Sequence, residues 1–447
     1  METLDRFILE HSNDDVAKLI LNKGKWEGID MELAVNTIES RRKLRGKVQE
    51  WAEMPGLRFP YKLSAEQCSS SFTAQYKAKL AEKIFADNIS GNSSEKTGSN
   101  ATGKRCRIAD LTGGLGVDAL YFSKFAVVLY NEMKPLLAEA SRHNFKILGA
   151  NDIIVKNHEL VAESEIRDTE IFARQTSKEA GRRISAEELL ADFRPDIIYL
   201  DPARRGEGGR KVFLIEECAP DVLGLKEELF AQSHHIMLKL SPMADISMVC
   251  KRLGNQCREV HVVATGGECK ELLVWLDREW NGEYRIAVCE NGASLDFLPS
   301  EEKEAIVTTA DRLPDKGSYI FEAGKAVMKA GAFNYIAAKF KMAKLGRSTH
   351  YYFTDNKDLS KYGKLYEIIE TEHLDKRSLK KFADSYPSAD LTARNLPFDT
   401  ETLRIKMYGK NKKMYGKNKK NAAATDNIHI FALKTDCLGN ILIAARR

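Results

Sequence analysis

Asp110-Leu-Thr-Gly-Gly-Leu-Gly-Val-Asp-Ala119, entered from Arg107-Ile-Ala and followed by the apolar run Leu120 to Phe125, constrains this chain more than any other stretch. A strand that ends on a carboxylate, turns on three closely spaced glycines and opens into a helix brings bare backbone up to a nucleotide-like ligand. The turn alone does not choose the ligand, because Gly114-x-Gly116-x-x-Ala119 also partly satisfies the dinucleotide fingerprint.

The surroundings extend the pattern. Short apolar runs at Arg107–Asp110, Ala126–Tyr130, Asp152–Lys156, Asp196–Leu200 and His235–Leu240 alternate with helical spacing, as in a parallel sheet covered on both faces. Val260–Ala264 and Leu272–Leu276 follow, close enough to pair antiparallel across Thr265-Gly-Gly-Glu268. Upstream, residues 1–87 carry apolar residues at three- and four-residue spacing and predict a helical region. Residues 88–105, poor in apolar side chains, predict a flexible linker, so the sheet domain spans 106–279. The charged segment 163–187 within it suggests an insertion or a solvated helix.

Residues 280–447 change character. Strand-like runs at Tyr284–Val288 and Ser318–Phe321, helices at Ala326–Lys344 and Lys364–Ile369, and closing strands at His429–Leu433 and Ile441–Ala444 predict an α+β module. Lys406-Met-Tyr-Gly-Lys-Asn-Lys412 recurs unchanged as Lys413 to Lys419, a duplication that a loop absorbs cheaply. From residue 320 onward there are 25 Lys and Arg against 13 Asp and Glu, a net charge of +12; residues 1–319 have 44 against 51, or −7. A basic module joined to an acidic one suggests a polyanionic partner. No apolar stretch is long enough for a membrane span and no secretory signal is apparent, so a cytoplasmic protein is expected. The eight cysteines are scattered without zinc spacing, which predicts reduced thiols and no metal.

The residues around the turn narrow the ligand. Asp110 stands directly before it and Asp118 directly after it, which suits the cationic sulfonium and ammonium of S-adenosylmethionine better than the phosphates of a dinucleotide. Glu132, at the end of the second strand, is placed to accept both hydroxyls of a ribose in either ligand. Asp201-Pro-Ala-Arg-Arg205, at the end of the fourth strand, delivers an acid and a proline to the sheet edge where open α/β sheets bind ligands. Such a loop holds an acceptor atom in line with a methyl donor, and a dehydrogenase has no comparable need there.

Together, Asp110-x-Thr-Gly-Gly-Leu-Gly-Val-Asp118, Glu132 and Asp201-Pro-Ala-Arg-Arg205 resemble a class I S-adenosylmethionine-dependent methyltransferase in order and spacing. More narrowly, Glu66-Gln-Cys-Ser69, Leu238-Lys-Leu-Ser-Pro-Met243, Thr265-Gly-Gly-Glu268, Ala326-Val-Met-Lys-Ala-Gly-Ala332 and Arg394-Asn-x-Pro397 resemble a bacterial group of such enzymes with a C-terminal THUMP-like domain. The resemblance implies an α/β fold: a Rossmann-like seven-stranded sheet, its last pair containing the one antiparallel strand, with an N-terminal helical region and a C-terminal ferredoxin-like or THUMP-like α+β module. By position it implies that Asp110, Thr112, Gly113, Gly114, Gly116 and Asp118 hold the methionine end of the cofactor, and Glu132 its ribose. Asn157, His158 and Glu159 are candidates for the adenine contact, with Glu159 taken into the cofactor set.

Asp201, Pro202 and Arg204 are the expected catalytic residues. The chain departs from the amino-methyltransferase pattern, with Ala203 where a second proline would stand and Arg204 where an aromatic would. Arg204 and Arg205 could replace the missing ring by stacking, or bind a phosphate. A C5-pyrimidine mechanism would need a cysteine, for which Cys269 is the candidate. The expected function is methyl transfer from S-adenosylmethionine to RNA, a tRNA or rRNA base. The alternatives are a non-catalytic RNA-binding or assembly protein that retains the fold, and a methyltransferase of protein or small-molecule substrates.

Overall fold

The computed structural model describes residues 3–92, 105–170, 181–204, 214–409 and 427–447, the side chains of 90–92, 167–170 and 204 excepted. The chain divides into two compact units, the first Met1–Val260 with Glu271–Gly282, the second His261–Lys270 with Glu283–Arg447.

The first unit opens with helices α1 (Thr3–Glu10), α2 (Val16–Leu21), α3 (Met31–Leu44), α4 (Gln49–Glu53), α5 (Lys62–Gln67) and α6 (Ser71–Asn92). Phe7, Ile8, Leu19, Val35 and Ile38 make a small core of their own among the first of these. Ser70 Oγ accepts the Thr73 N–H at 3.2 Å and caps α6. The helix continues past residue 88, where the sequence places the start of a linker, to Asn92; 93–104 lie outside the described residues.

Strands β1 (Cys106–Asp110), β2 (Ala126–Asn131), β3 (Ile153–Lys156), β4 (Ile197–Leu200), β5 (His235–Leu240), β6 (Cys257–Thr265) and β7 (Glu268–Asp277) follow. Their spatial order is β6-β7-β5-β4-β1-β2-β3. β1 pairs in parallel with β2 and with β4, so that Asp110 lies opposite Tyr130 on one side and Tyr199 on the other. β4 and β5 are parallel; β7 runs antiparallel to β5, with Leu273 opposite Lys239. The chain leaves β1 to one side for β2 and β3 and comes back to its other side for β4. Such a switch opens a crevice beyond the carboxyl ends of β1 and β4. α7 (Val117–Ser123) and α8 (Pro135–Ile147) are the crossover helices nearest that crevice, α8 starting on a proline as the fixed φ of that residue favours. In the charged segment, a helix spans Glu163–Glu170 and a short strand Arg182–Ile184 pairs with His158–Leu160; 171–180 lie outside the described residues.

In the second unit β8 (Arg285–Glu290) and β9 (Ala293–Phe297) form an antiparallel hairpin. A further sheet is built from β10 (Tyr319–Ala323), β11 (Tyr351–Thr354), β12 (Gly363–His373), β13 (Asp390–Arg394), β14 (Ile428–Lys434) and β15 (Asn440–Arg446), in the order β11-β10-β12-β15-β14-β13, with two-residue strand Ala343–Lys344 at its edge. The helix expected at Lys364–Ile369 is instead part of β12. Its residues pair with β10, Tyr366 opposite Ile320, and Tyr366 and Ile368 enter a core with Phe353, Phe431 and Ile443 while Glu367 faces out. That alternation is the period-2 signature of a half-buried strand, and neighbouring Ile368 and Ile369 masked it. The helix expected over Ala326–Lys344 is two, Lys325–Ala330 and Phe333–Lys339, parted at Gly331, which takes φ +74. Residues 410–426, most of the duplicated heptad, lie outside the described residues.

Candidate active site

The glycine turn is shaped by what packs behind it. Asp110 ends β1 only 1% exposed, and its Oδ1 accepts the Thr112 N–H at 3.2 Å. Gly113 donates its N–H to the Asn131 carbonyl at 2.8 Å, drawing the turn against β2 so tightly that a Cβ there would sit 2.1 Å from the Tyr130 ring. Gly116 precedes α7 at φ +90, and a Cβ there would meet Phe145 at 2.5 Å. Glu132 fixes the middle of the turn: one carboxylate oxygen accepts the Gly114 N–H at 2.9 Å, the other the Lys134 N–H at 2.8 Å. Burial pushes its carboxyl up, while these two N–H groups and the Lys134 charge pull the other way. A carboxylate has about four acceptor positions, so acceptor capacity remains beyond these N–H groups for a ligand hydroxyl.

A cavity of about 430 Å³ lies over the turn, within the size range of small-ligand sites. Asp110, Thr112, Gly113, Gly114, Gly116, Asp118, Glu132, Glu159 and Asp201 all line it. Asp201 is tied to the turn directly, its N–H donating to Thr112 Oγ1 at 2.5 Å. Pro202 is buried behind Asp201 and is not part of the lining. The backbone of Arg204 belongs to a short strand with Ala203, paired with Cys218–Ala219; its side chain, like Arg205, lies outside the described residues. Of the adenine candidates, Asn157 turns its amide away to the carbonyls of Glu132 and Met133, at 2.6 and 3.1 Å. His158 and Glu159 line the cavity, Glu159 with Arg183 4.0 Å away. Burial and Lys156 push the His158 imidazole below its usual value and favour its neutral form.

Asp118 is engaged in a way its sequence position does not foretell. One carboxylate oxygen accepts hydrogen bonds from the hydroxyls of Ser69 and Tyr199, both at 2.9 Å, and the other lies 3.3 Å from Lys77 Nζ. Lys77, on α6 and 0% exposed, also reaches Ser69 Oγ at 3.0 Å and both Glu271 oxygens at 2.8 and 2.9 Å. Glu271, 2% exposed on β7, has its carboxyl raised by burial against the opposing pull of Lys77 and Lys239. Lys239, on β5, places Nζ 2.5 Å from Asp201 Oδ2. Burial by itself would push that ammonium down, but Asp201, Glu271 and Asp118 outweigh it and hold it above its usual value. Charges taken out of water at this depth are tolerated only when paired, and here two lysines face three carboxylates.

Lys77, Lys239, Glu271, Ser69 and Tyr199 were thus missed as site residues. A signal existed for two of them: Lys239 stands inside the apolar run Met237-Leu-Lys-Leu240, and Glu271 directly precedes the apolar run Leu272-Leu-Val-Trp-Leu276. Cys68 lines the cavity as well, and burial pushes its thiol up to about 11. Cys269 belongs to the second unit.

A ferredoxin-like domain family matches residues 319–359. No curated protein matches the chain in sequence. Among solved structures, that of a candidate methyltransferase from Porphyromonas gingivalis W83 superposes with a TM-score of 0.74 at 25% identity, over 99% of this chain and 97% of that one. The chain has the fold of a methyltransferase, an enzyme fold. A human methyltransferase 10 domain containing protein gives a TM-score of 0.31 at 10% identity, over 53% of this chain and 96% of that one. An rRNA methylase from Streptococcus thermophilus gives 0.22 at 10% identity, over 39% and 86%. Likeness of that degree says nothing of what this chain acts on. For a methyltransferase fold the consequence of the topology is that Asp110, Glu132 and Asp201 enter one cavity from the carboxyl ends of β1, β2 and β4.

Proposed function

We propose that this chain is an S-adenosylmethionine-dependent methyltransferase acting on RNA, a tRNA or an rRNA. The observation that carries the catalytic part is the juxtaposition of the glycine turn with Asp201, joined through Thr112 Oγ1 at 2.5 Å in a single cavity. The donor set fits a cationic adenosine ligand. Asp110 faces a sulfonium or ammonium, the backbone of Gly113 and Gly114 lies open to the cavity, and Glu132 keeps acceptor positions for ribose hydroxyls. His158 or Glu159 meets the adenine. A pyrophosphate would instead face Asp110, Glu132, Glu159 and Glu165 with its own negative charge.

When bound, S-adenosylmethionine supplies an activated methyl group. The chain's own residues hold the acceptor beside it: Asp201 orients the attacking group and takes its proton, with Pro202 and Arg204 completing the loop. Position and exclusion of water are what such a site contributes. The RNA part rests on the net charge of +12 from residue 320 onward and on the ferredoxin-like match within it, which we read as a THUMP-like RNA-binding module. A cytoplasmic location agrees with such a substrate.

The test is transfer of labelled methyl from S-adenosylmethionine to total RNA of a strain lacking the gene, with an Asp201→Ala protein alongside. Label that depends on Asp201 supports the proposal. S-adenosylhomocysteine binding without any labelled RNA removes the RNA acceptor and directs the search to proteins and small molecules. A ligand that binds only the folded protein raises its melting midpoint, so S-adenosylhomocysteine should raise it and NAD should not.

A further inference from the structure

The two lysines of the buried charge cluster are not equivalent. Lys77 is fully buried and its ammonium is surrounded by Ser69, both oxygens of Glu271 and Asp118. Lys239 retains 14% of its side-chain surface and makes one hydrogen bond among the described residues, to Asp201 Oδ2. An ammonium carries three N–H donors, so Lys239 keeps two to offer an incoming oxygen. Asp201 itself lines the cavity over the glycine turn. Lys239 is not among the residues that line this cavity, but its ammonium lies directly against Asp201, so that a fixed cation stands beside the carboxylate that an incoming acceptor atom meets.

The sign of that charge selects the acceptor. A neutral amine gains positive charge as it takes a methyl group, and an ammonium beside it raises the barrier. A hydroxyl oxygen that loses its proton gains negative charge, and the same ammonium lowers the barrier, as donors aimed at developing charge do. By sequence, Arg204 stands where an aromatic platform would serve a flipped base, which leaves base-amine recognition without one of its usual supports. Carbon methylation calls for a thiolate, and the cavity cysteine, Cys68, has its thiol pushed up to about 11. Asp201 first, then Glu271 and Asp118, hold the Lys239 ammonium above its usual value against its burial, which favours a role as a cation over one as a base.

We propose that Lys239 and Asp201 form a catalytic pair for methylation of a ribose 2′-hydroxyl of RNA, the oxygen lying within reach of the free Lys239 N–H groups and its proton of Asp201. This rests on the RNA methyl transfer proposed above and narrows the acceptor from a base, the expectation from sequence, to the sugar. The hydroxyl oxygen forms its bond to the methyl carbon with one of its lone pairs. The carbon–sulfur bond of the donor breaks, its pair staying on sulfur and turning the sulfonium into a neutral thioether. The hydroxyl proton passes to Asp201 and then to water. Proton transfer to Asp201 runs ahead of bond formation to the methyl carbon, so that the oxygen carries negative charge as it attacks and the Lys239 ammonium stabilises it.

The experiment is alkaline hydrolysis of the RNA labelled by the wild-type protein. Alkali cleaves RNA through the 2′-hydroxyl, so methylation there leaves label in alkali-resistant dinucleotides, whereas a methylated base leaves it in mononucleotides. Dinucleotide label is the expected result. Mononucleotide label overturns this inference and leaves the RNA methyltransferase reading standing; absence of label in RNA overturns that reading and this inference with it. Lys239→Met should lower transfer roughly 10²–10³-fold, the usual scale for losing one acid–base or charge-stabilising group. Its affinity for S-adenosylhomocysteine, measured by calorimetry, should change less than about threefold, since Lys239 faces the acceptor and not the donor. Transfer by Lys239→Met at the wild-type rate overturns the catalytic role. The hydrolysis result stands on the wild-type protein alone if that variant fails to fold.

Discussion

At the residue scale the glycine turn couples geometry to ionisation. The carboxyl of Asp110 is held well above the usual carboxylate range, first by burial and then by Asp118, with Asp201 and Glu132 adding to the rise and the Thr112 N–H opposing it. An acid raised on folding stabilises the native state below its unfolded pKa, and that contribution is lost as pH rises through the folded value. A cationic ligand favours the ionised form, so binding of S-adenosylmethionine should release a proton and tighten as pH rises from the ordinary carboxylate value through the raised one. Calorimetry in buffers of different ionisation enthalpy reads that proton directly. In Asp110→Asn the affinity should be weaker and flat over the same window; wild-type binding with no proton released would show that Asp110 does not face the cation. Gly113 gives a second residue-level prediction. Its hypothetical Cβ lies 2.1 Å from a ring fixed in β2, so Gly113→Ala must displace Tyr130 or the turn. The expected loss is about 1–3 kcal/mol, the scale of overpacking, read as a lower urea midpoint.

At the scale of elements, Lys77 is what joins α6 to β7 and α7. Its removal takes from Glu271 the ammonium that meets both its oxygens and leaves Asp118 with the Ser69 and Tyr199 hydroxyls, and breaking one partner out of a buried ion cluster costs about 3–5 kcal/mol. Lys77→Met should lose stability on that scale, while Lys77→Met combined with Glu271→Leu should recover part of it. Equal losses in the single and double variants would mean that Glu271 is not left uncompensated. This cluster also marks the limit of what the sequence discloses. The alternation from Arg107 to Leu240 made β1 to β5 legible, and the strand-end acids Asp110, Glu132 and Asp201 followed from it because parallel strands present their carboxyl ends together. Lys77, Lys239 and Glu271 are far apart along the chain, and only the β6-β7-β5-β4-β1 order together with α6 brings them to one place. Asn157 shows the converse case: its position after β3 is right for an adenine contact, yet its amide is spent on the carbonyls of Glu132 and Met133. β12 was misread because local periodicity is ambiguous where apolar residues are adjacent, and sheet pairing settles the matter.

At the scale of the whole molecule the division of charge is the feature that bears on function. The stretch from residue 320 onward, all in the second unit, carries a net +12, while the remaining 319 residues carry −7. Acidic groups in the first unit serve the cavity, where Asp110, Glu132 and Asp201 have local partners. The natural counter-charge of that excess of lysine and arginine is phosphate. If RNA is held that way, affinity must depend on counterion release, the equilibrium constant falling linearly with salt on logarithmic axes. For the full chain making about six to ten phosphate contacts, binding to RNA should weaken roughly 10³–10⁵-fold between about 50 and 200 mM salt. Asp201→Ala should keep the same slope and affinity while losing transfer, because grip and chemistry draw on different residues. Filter binding at a series of salt concentrations gives both numbers. A shallow slope with intact methyl transfer would mean that the acceptor is recognised in the cavity alone, and the basic surface would then need a partner other than RNA.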